Sequence, residues 1–253
     1  MYLAGTSGTQ KWFDAGLVRP EQLFVLESFV SVKDWQIPLI HQFKDFILDS
    51  GAFTFMNAKK REHGVDWYEY AERYATFVRD NQIERYFELD LDKIIGLKET
   101  TELRAHIEKI VGWPSIPVWH ETRDKEYWLD MCRTHPYVAI GGITGGVTNR
   151  SGKERAFPWF IQSAHQHGAM IHGLGYTNVR KIRQYQFDSI DSTTWTSGGR
   201  YGQLHVFRHG IIEKELSVIN GRKVRALLDP NAAQIHNFLE WVKFSEYCDD
   251  YLR

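Results

Sequence analysis

The sequence predicts an α/β protein, a single (β/α)8 TIM barrel spanning residues 1–253, and three observations carry that expectation. Short apolar runs alternate with amphipathic stretches, and no repeat, low-complexity tract or Pro/Ser-rich linker interrupts them. Eight such runs in 253 residues suit the length of a barrel. The polar residues Asp49, Asp90, His120, Gly141-Gly142, His172-Gly173 and Asp191 all fall at C-terminal ends of predicted strands. A barrel gathers those ends at one mouth, whereas an open doubly wound sheet with the same local pattern would spread them along a crevice.

The predicted strands are residues 23–30, 46–50, 85–90, 116–120, 137–142, 169–173, 187–191 and 204–208. Amphipathic helices are expected over 66–82, 98–112, 124–135, 153–168 and 178–185. In the second of these, Leu103, Ile107 and Ile110 recur at helical spacing opposite charged positions. Residues 229–248 read as a last helix, with Asp229 as N-cap and Pro230 at the first helical position.

Composition narrows the function classes. With 43% hydrophobic and 25% charged residues the chain suits a soluble globular protein. It has no run of about 18 apolar residues and no basic-then-apolar leader, so neither a membrane span nor a secretory signal is expected and the reading is cytoplasmic. Cys132 and Cys248 are too few for a disulfide framework or a four-thiolate zinc site, and a reducing compartment suits them. Lys plus Arg total 31 against 32 Asp plus Glu, so nucleic-acid binding would need a local basic face. Lys59-Lys60-Arg61, Arg180-Lys181-Arg183 and Arg222-Lys223-Arg225 are the candidates.

Three acidic strand ends stand out. The apolar strand before Asp49 leads into Ser50, Gly51, Ala52 and Phe53. Small residues there let backbone approach a ligand and Phe53 offers a face to a flat one, while the same pattern suits an Asp that caps the next helix. The strand closing on Asp191 continues into Gly198, Gly199, Arg200 and Gly202. Asp191 reads as a nucleophile beside an Arg-bearing phosphate clamp, or as the start of a surface Asx turn. Asp188 competes for the role, but it lies on the other side of the period-2 alternation. In the third, Glu88, Asp90 and Asp92 alternate with apolar residues and share one face. One carboxylate can accept two N–H donors from a purine edge; Mg2+ binding, or pairing with Lys93 or Arg85, are the other readings. No second acidic cluster accompanies them, and no metal is expected. His165 and His167 point about 200° apart on a helix, so with His172 they make no zinc site, and His172 stands alone before Gly173-Leu174-Gly175.

Taken in order over about residues 45–203, these segments resemble the tRNA-guanine (queuine) transglycosylase superfamily, which exchanges guanine for a 7-deazaguanine within a polynucleotide. Asp49-Ser50-Gly51-Ala52-Phe53 resembles the family's DSGG-aromatic motif, whose Asp is the general acid/base and whose aromatic stacks on the base. Residues 191–202 resemble its nucleophile tract, with Arg200 and Gly202 at matching distance from Asp191. Asp90 falls where the family has its base-reading Asp, and His120 where it has Gln. Gly141-Gly142-Ile143 resembles its Gly-Gly-Leu turn, and His172-Gly173-Leu174-Gly175 its Met-Gly-x-Gly.

The resemblance implies Asp191 and Asp49 as the catalytic pair. It implies substrate binding by Ser50, Phe53, Asp90, His120, Gly141, Gly142, Ile143, His172, Gly173 and Arg200, with Phe53 and His172 sandwiching an extruded base. The family's three-cysteine-one-histidine zinc site is absent, since Cys248 is the only cysteine beyond Asp191, and Trp195 and Ser197 replace a Pro and an Arg of the nucleophile tract. These departures, with the compact length, are most similar to the DNA 7-deazaguanine transglycosylases of viruses and mobile elements, the DpdA group. The implied partners are DNA and a 7-deazaguanine base, with no cofactor; related enzymes are often dimeric. A tRNA-directed transglycosylase, a deazaguanine nucleosidase and an inactive base-binding barrel are the alternatives.

Overall fold

The computed structural model describes residues 1–52, 54, 65–141, 154–176, 178, 181–198, 203–215, 217–219, 222–224 and 229–251. Seven strands form one curled parallel sheet: β1 (Tyr2–Ala4), β2 (Phe24–Ser28), β3 (Asp45–Asp49), β4 (Val118–Trp119), β5 (Tyr137–Ile140), β6 (Met170–Gly173) and β7 (Ser189–Ser192). Their order is β3-β2-β1-β7-β6-β5-β4. Residues 85–88 bridge both edges: Leu48 N–H donates to Arg85 and Phe87 N–H to Leu48, while Ile116 N–H donates to Tyr86 and Glu88 N–H to Ile116, at 2.8–3.1 Å. The architecture is therefore α/β and TIM-barrel-like.

The α-helices among the described residues are α1 (Gln10–Asp14), α2 (Trp67–Asp80), α3 (Asp92–Ile95), α4 (Leu97–Val111), α5 (Lys125–Thr134), α6 (Phe157–Gln166) and α7 (Pro230–Tyr251). Local chemistry sets their ends. Asp66 accepts the N–H groups of Tyr68 and Glu69 at the start of α2, and Asp124 accepts that of Tyr127 at the start of α5. Helix α4 stops on Gly112, which is left-handed at φ +95°. The period-2 alternation of the strands divides two cores. Leu3, Val25, Leu48, Val138, Ile171 and Ile190 pack outward against helix residues such as Tyr74, Leu103, Trp128 and Phe157. Tyr2, Phe24, Leu26, Ile47, Phe87, Val118 and Ala139 pack against one another within the curl.

Two expectations change here. The run at 204–208 is a strand, β8 (Leu204–Arg208), but it leaves the parallel sheet and pairs antiparallel with β9 (Ile211–Glu215). His209 and Gly210, both at positive φ, make the tight turn that this pairing needs. Helix α7 covers β8: Asn237 accepts the His205 N–H, Glu240 accepts that of Phe207, and Trp241 donates to the His205 ring, each at 2.8 Å. The vacant place in the sheet belongs to β1, which pairs with β2 and β7. A short second hairpin joins β10 (Ser217–Ile219) to β11 (Arg222–Val224). Of the helix expected over 178–185, the described residues include one 3-10 turn at Ile182–Gln184.

Behind the sheet lies a buried ionic cluster. Arg123 reaches Glu88 at 2.6 Å and grips both oxygens of Asp92 at 2.6 and 2.7 Å. Glu88 also accepts the Val118 N–H at 2.6 Å and Arg104 at 3.3 Å. Removing the shared cation would leave two carboxylates buried without it. Arg123→Ala should therefore lower the unfolding free energy by about 3–5 kcal/mol, read as an earlier denaturant midpoint. Adding Glu88→Gln and Asp92→Asn should recover part of that loss.

Candidate functional site: a mouth of three carboxylates

Asp49 ends β3, and β3 runs in register with β2, so Asp49 lies level with Ser28. One carboxylate oxygen accepts the Gly51 N–H at 2.9 Å. Gly51 must be glycine: its φ is +79°, and a Cβ would lie 2.9 Å from Val30. Burial, followed by the negative charge of Asp90, pushes the Asp49 carboxyl up to about 7, and Asp191 adds to the shift. The Gly51 N–H and Ser28 hydroxyl favour the charged form without cancelling it. Ser50 is fully buried; its carbonyl accepts the Tyr70 hydroxyl at 2.5 Å, which anchors the turn to α2. Tyr74, one turn along, donates to the carbonyls of Leu48 and Phe87 at 3.2 and 2.8 Å, holding β3 to the 85–88 segment.

Asp90 and His120 meet directly, with Oδ2 and Nε2 2.8 Å apart. Gly141 makes room for that imidazole, since a Cβ there would fall 2.3 Å from its Cε1. Glu88 and Asp92 do not share the face of Asp90. They turn to Arg123 behind the sheet, so neither joins Asp90 in a carboxylate set for Mg2+. Their partners are Arg123 and Arg104 rather than Lys93 or Arg85; Arg85 pairs with Asp45.

Asp191, on β7, is 7% exposed. Its Oδ1 takes the Gly175 N–H at 2.6 Å and lies 3.1 Å from His172 Nε2. Asp188 sits before the first residue of β7, at the opposite end of the sheet, where it accepts the Ile171 N–H and bonds His165 at 2.7 and 2.9 Å. His172 differs from expectation. The residue is 0% exposed, both ring nitrogens are bonded, and Tyr2, Phe87 and Tyr137 flank the ring, so it presents no face to an external base. It supports Asp191 instead. Gly173 packs against Ile190 and Phe187, where a Cβ would come within 3.3 Å of each. Trp195 is buried and donates to the Ala4 carbonyl at 2.9 Å, anchoring the segment after Asp191 to β1.

Phe53, Gly142, Ile143 and Arg200 lie outside the described residues, as do Lys59, Lys60, Arg61, Arg180 and Arg225. Lys181 pairs with Glu154, and Arg183 bonds the Tyr247 hydroxyl. The site also includes groups that strand-end reasoning overlooks. Tyr70 and Tyr74 occupy i and i+4 of α2, a spacing that marks one helix face but says nothing of their hydroxyls.

No family model matches this chain, and no curated protein does. Among solved structures it is similar to an Aquifex aeolicus VF5 protein known from a structural study, at 12% identity and TM-score 0.48, covering 77% of this chain and 84% of that one. It is also similar to the carboxyl transferase domain of Rhizobium etli pyruvate carboxylase with pyruvate, at 10% identity and TM-score 0.44, covering 98% of this chain and 48% of that one. At these scores neither likeness carries a function to this chain. Among the described residues no helix is long and apolar enough to cross a membrane.

The Asp49 carboxyl has a consequence for stability. Its proton is held to about pH 7 in the folded chain, against 3.8 for an ordinary aspartate, so the folded state binds more protons between those values. The Asp49 contribution therefore falls as pH rises from about 4 to about 7 and stays constant above that range. Asp49→Asn should abolish this part of the slope. Urea unfolding should show the variant gaining on the parent at about pH 8 and not at about pH 4.

Proposed function

We propose that this protein is a base-exchange transglycosylase that replaces guanine in DNA with a 7-deazaguanine through a covalent Asp191–glycosyl intermediate. The proposal includes a closed (β/α)8 barrel in which residues 85–90 serve as a strand, a reading supported by the hydrogen bonds from that segment to Leu48 and Ile116. One observation carries the functional reading: two strand-end carboxylates share a mouth but stand in opposite environments. Asp49 keeps a proton to about pH 7, while Oδ1 of Asp191 is held by the Gly175 N–H and the His172 ring.

That division matches the two-carboxylate logic of retaining glycosyl transfer. Asp191 Oδ2 attacks C1′ as the C1′–N9 bond breaks, and Asp49 gives its proton to the departing guanine. The incoming 7-deazaguanine then returns its N9 proton to Asp49, attacks C1′ and releases Asp191. Protons balance over the cycle, and a carboxyl near pH 7 serves as acid and then base. The nucleotide must first leave the duplex, because C1′ cannot be reached inside the stack. Asp90, oriented by His120, lies near enough to Asp49 to act on its charge and is the group assigned to the base's N–H edge.

Mass spectrometry of nucleosides tests the reading after DNA, and separately tRNA, is incubated with the protein and a panel of 7-deazaguanine bases. The expected product is a deazaguanine nucleoside from DNA that disappears with Asp191→Asn. Incorporation into tRNA alone would transfer the assignment to a tRNA-guanine transglycosylase. Release of free base without incorporation would make it a nucleosidase, and base binding without an adduct an inactive barrel.

A further inference from the structure

The interior of the sheet is filled by apolar side chains, including Leu26, Ile47, Phe87, Ile116, Val118 and Ala139. A polar line crosses it. The Tyr137 hydroxyl bonds Ser189 Oγ, Ser189 Oγ bonds His172 Nδ1, and His172 Nε2 reaches Asp191 Oδ1 at 3.1 Å. Tyr137 and Ser189 are the first residues of β5 and β7, and both line a cavity of about 600 Å³ at the N-terminal end of the sheet, with Asp188 and His165. Asp191 stands at the other end of the line.

The hydrogens can be counted. Tyr137, Ser189 and a neutral His172 each have one to give along the line, and an ionised Asp191 has none. If Tyr137 donates to Ser189, Ser189 to Nδ1 and Nε2–H to Asp191, every donor is used and every acceptor is served. Reversal would need an added proton, on Asp191 or on the His172 ring, and would turn the Tyr137 hydrogen toward the cavity. Burial pushes the Tyr137 hydroxyl up to about 12, so it remains a donor at neutral pH.

We infer that Tyr137, Ser189 and His172 form a directional positioning chain that holds Asp191 as a carboxylate, with Oδ1 turned inward and Oδ2 left for the mouth. His172 is neutral and carries its proton on Nε2. The chain deepens the proposed glycosyl transfer, and its catalytic consequence rests on that reading. Its protonation pattern does not.

Nitrogen-15 NMR of the histidine rings near neutral pH, with His172 assigned through His172→Gln, reads the pattern without substrate. The expected result is a proton-bearing Nε2 and a proton-free, hydrogen-bonded Nδ1. Ser189→Ala should move the Nδ1 resonance downfield, Ser189→Thr should restore it, and Tyr137→Phe should give a smaller shift in the same direction. A proton on Nδ1, protons on both nitrogens, or an Nδ1 indifferent to Ser189→Ala would overturn the chain. In the transfer assay, Tyr137→Phe should slow adduct formation by about tenfold or less with base affinity unchanged. An unaltered rate alongside the expected NMR pattern would leave the chain in place and remove its catalytic role. Absence of any transfer in the parent would instead fail the glycosyl-transfer reading, with the NMR result still deciding the chain.

Discussion

Three carboxylates brought to one end of a buried parallel sheet cannot all be ionised cheaply, and the surrounding structure is arranged around that repulsion. Each carboxylate meets it differently. Asp49 keeps a proton to about pH 7 under burial and the charge of Asp90. Asp90 leans on His120, and Asp191 on His172 and the Gly175 N–H. The mouth thus holds an acid beside carboxylates with their own donors, which is the asymmetry that acid-assisted displacement requires.

The fold supplies this asymmetry through parallel register. Parallel pairing sets Asp49 level with Ser28 at the ends of β3 and β2, and Asp191, on the strand paired with β1, comes close enough for its charge to act on Asp49. Tyr74 then binds the carbonyls of β3 and the 85–88 segment, so the element carrying Asp49 and the one leading to Asp90 are fixed to each other. Behind them, Arg123 and Arg104 together balance Glu88 and Asp92, keeping two further negative charges from adding to the mouth. Gly141 contributes by what it lacks, because any side chain would occupy the space of the His120 ring.

Much of this was readable from residues alone. Apolar runs ending in Asp49, His120 and Asp191 mark β3, β4 and β7, since a parallel sheet leaves few other reasons for a polar residue to follow each buried run. The N-terminal strand was not readable: three residues, Tyr2–Ala4, show no alternation and carry no flanking signal on one side. At 204–208 the alternation was real but its partner was wrong, and the positive-φ pair His209-Gly210 was the overlooked turn chemistry. Period-2 reasoning placed Glu88 and Asp92 with Asp90, yet a distant Arg123 and the start of α3 separate them, which no local pattern reports. His172 reads as a mouth residue from its place near a strand end. Near the end of β6 it still lies below Asp191, because the register with β7 sets it level with Ser189.

The central claim is that a protonated Asp49 serves an ionised Asp191, and the rate of covalent adduct formation with guanine-containing DNA, followed by intact-mass spectrometry across pH, tests it most directly. The account predicts an adduct that maps to Asp191, a rate that falls as pH rises through about 7, and a slow rate that no longer shows this fall in Asp49→Asn. A rate that climbs through the same range, or an adduct on another residue, would contradict it.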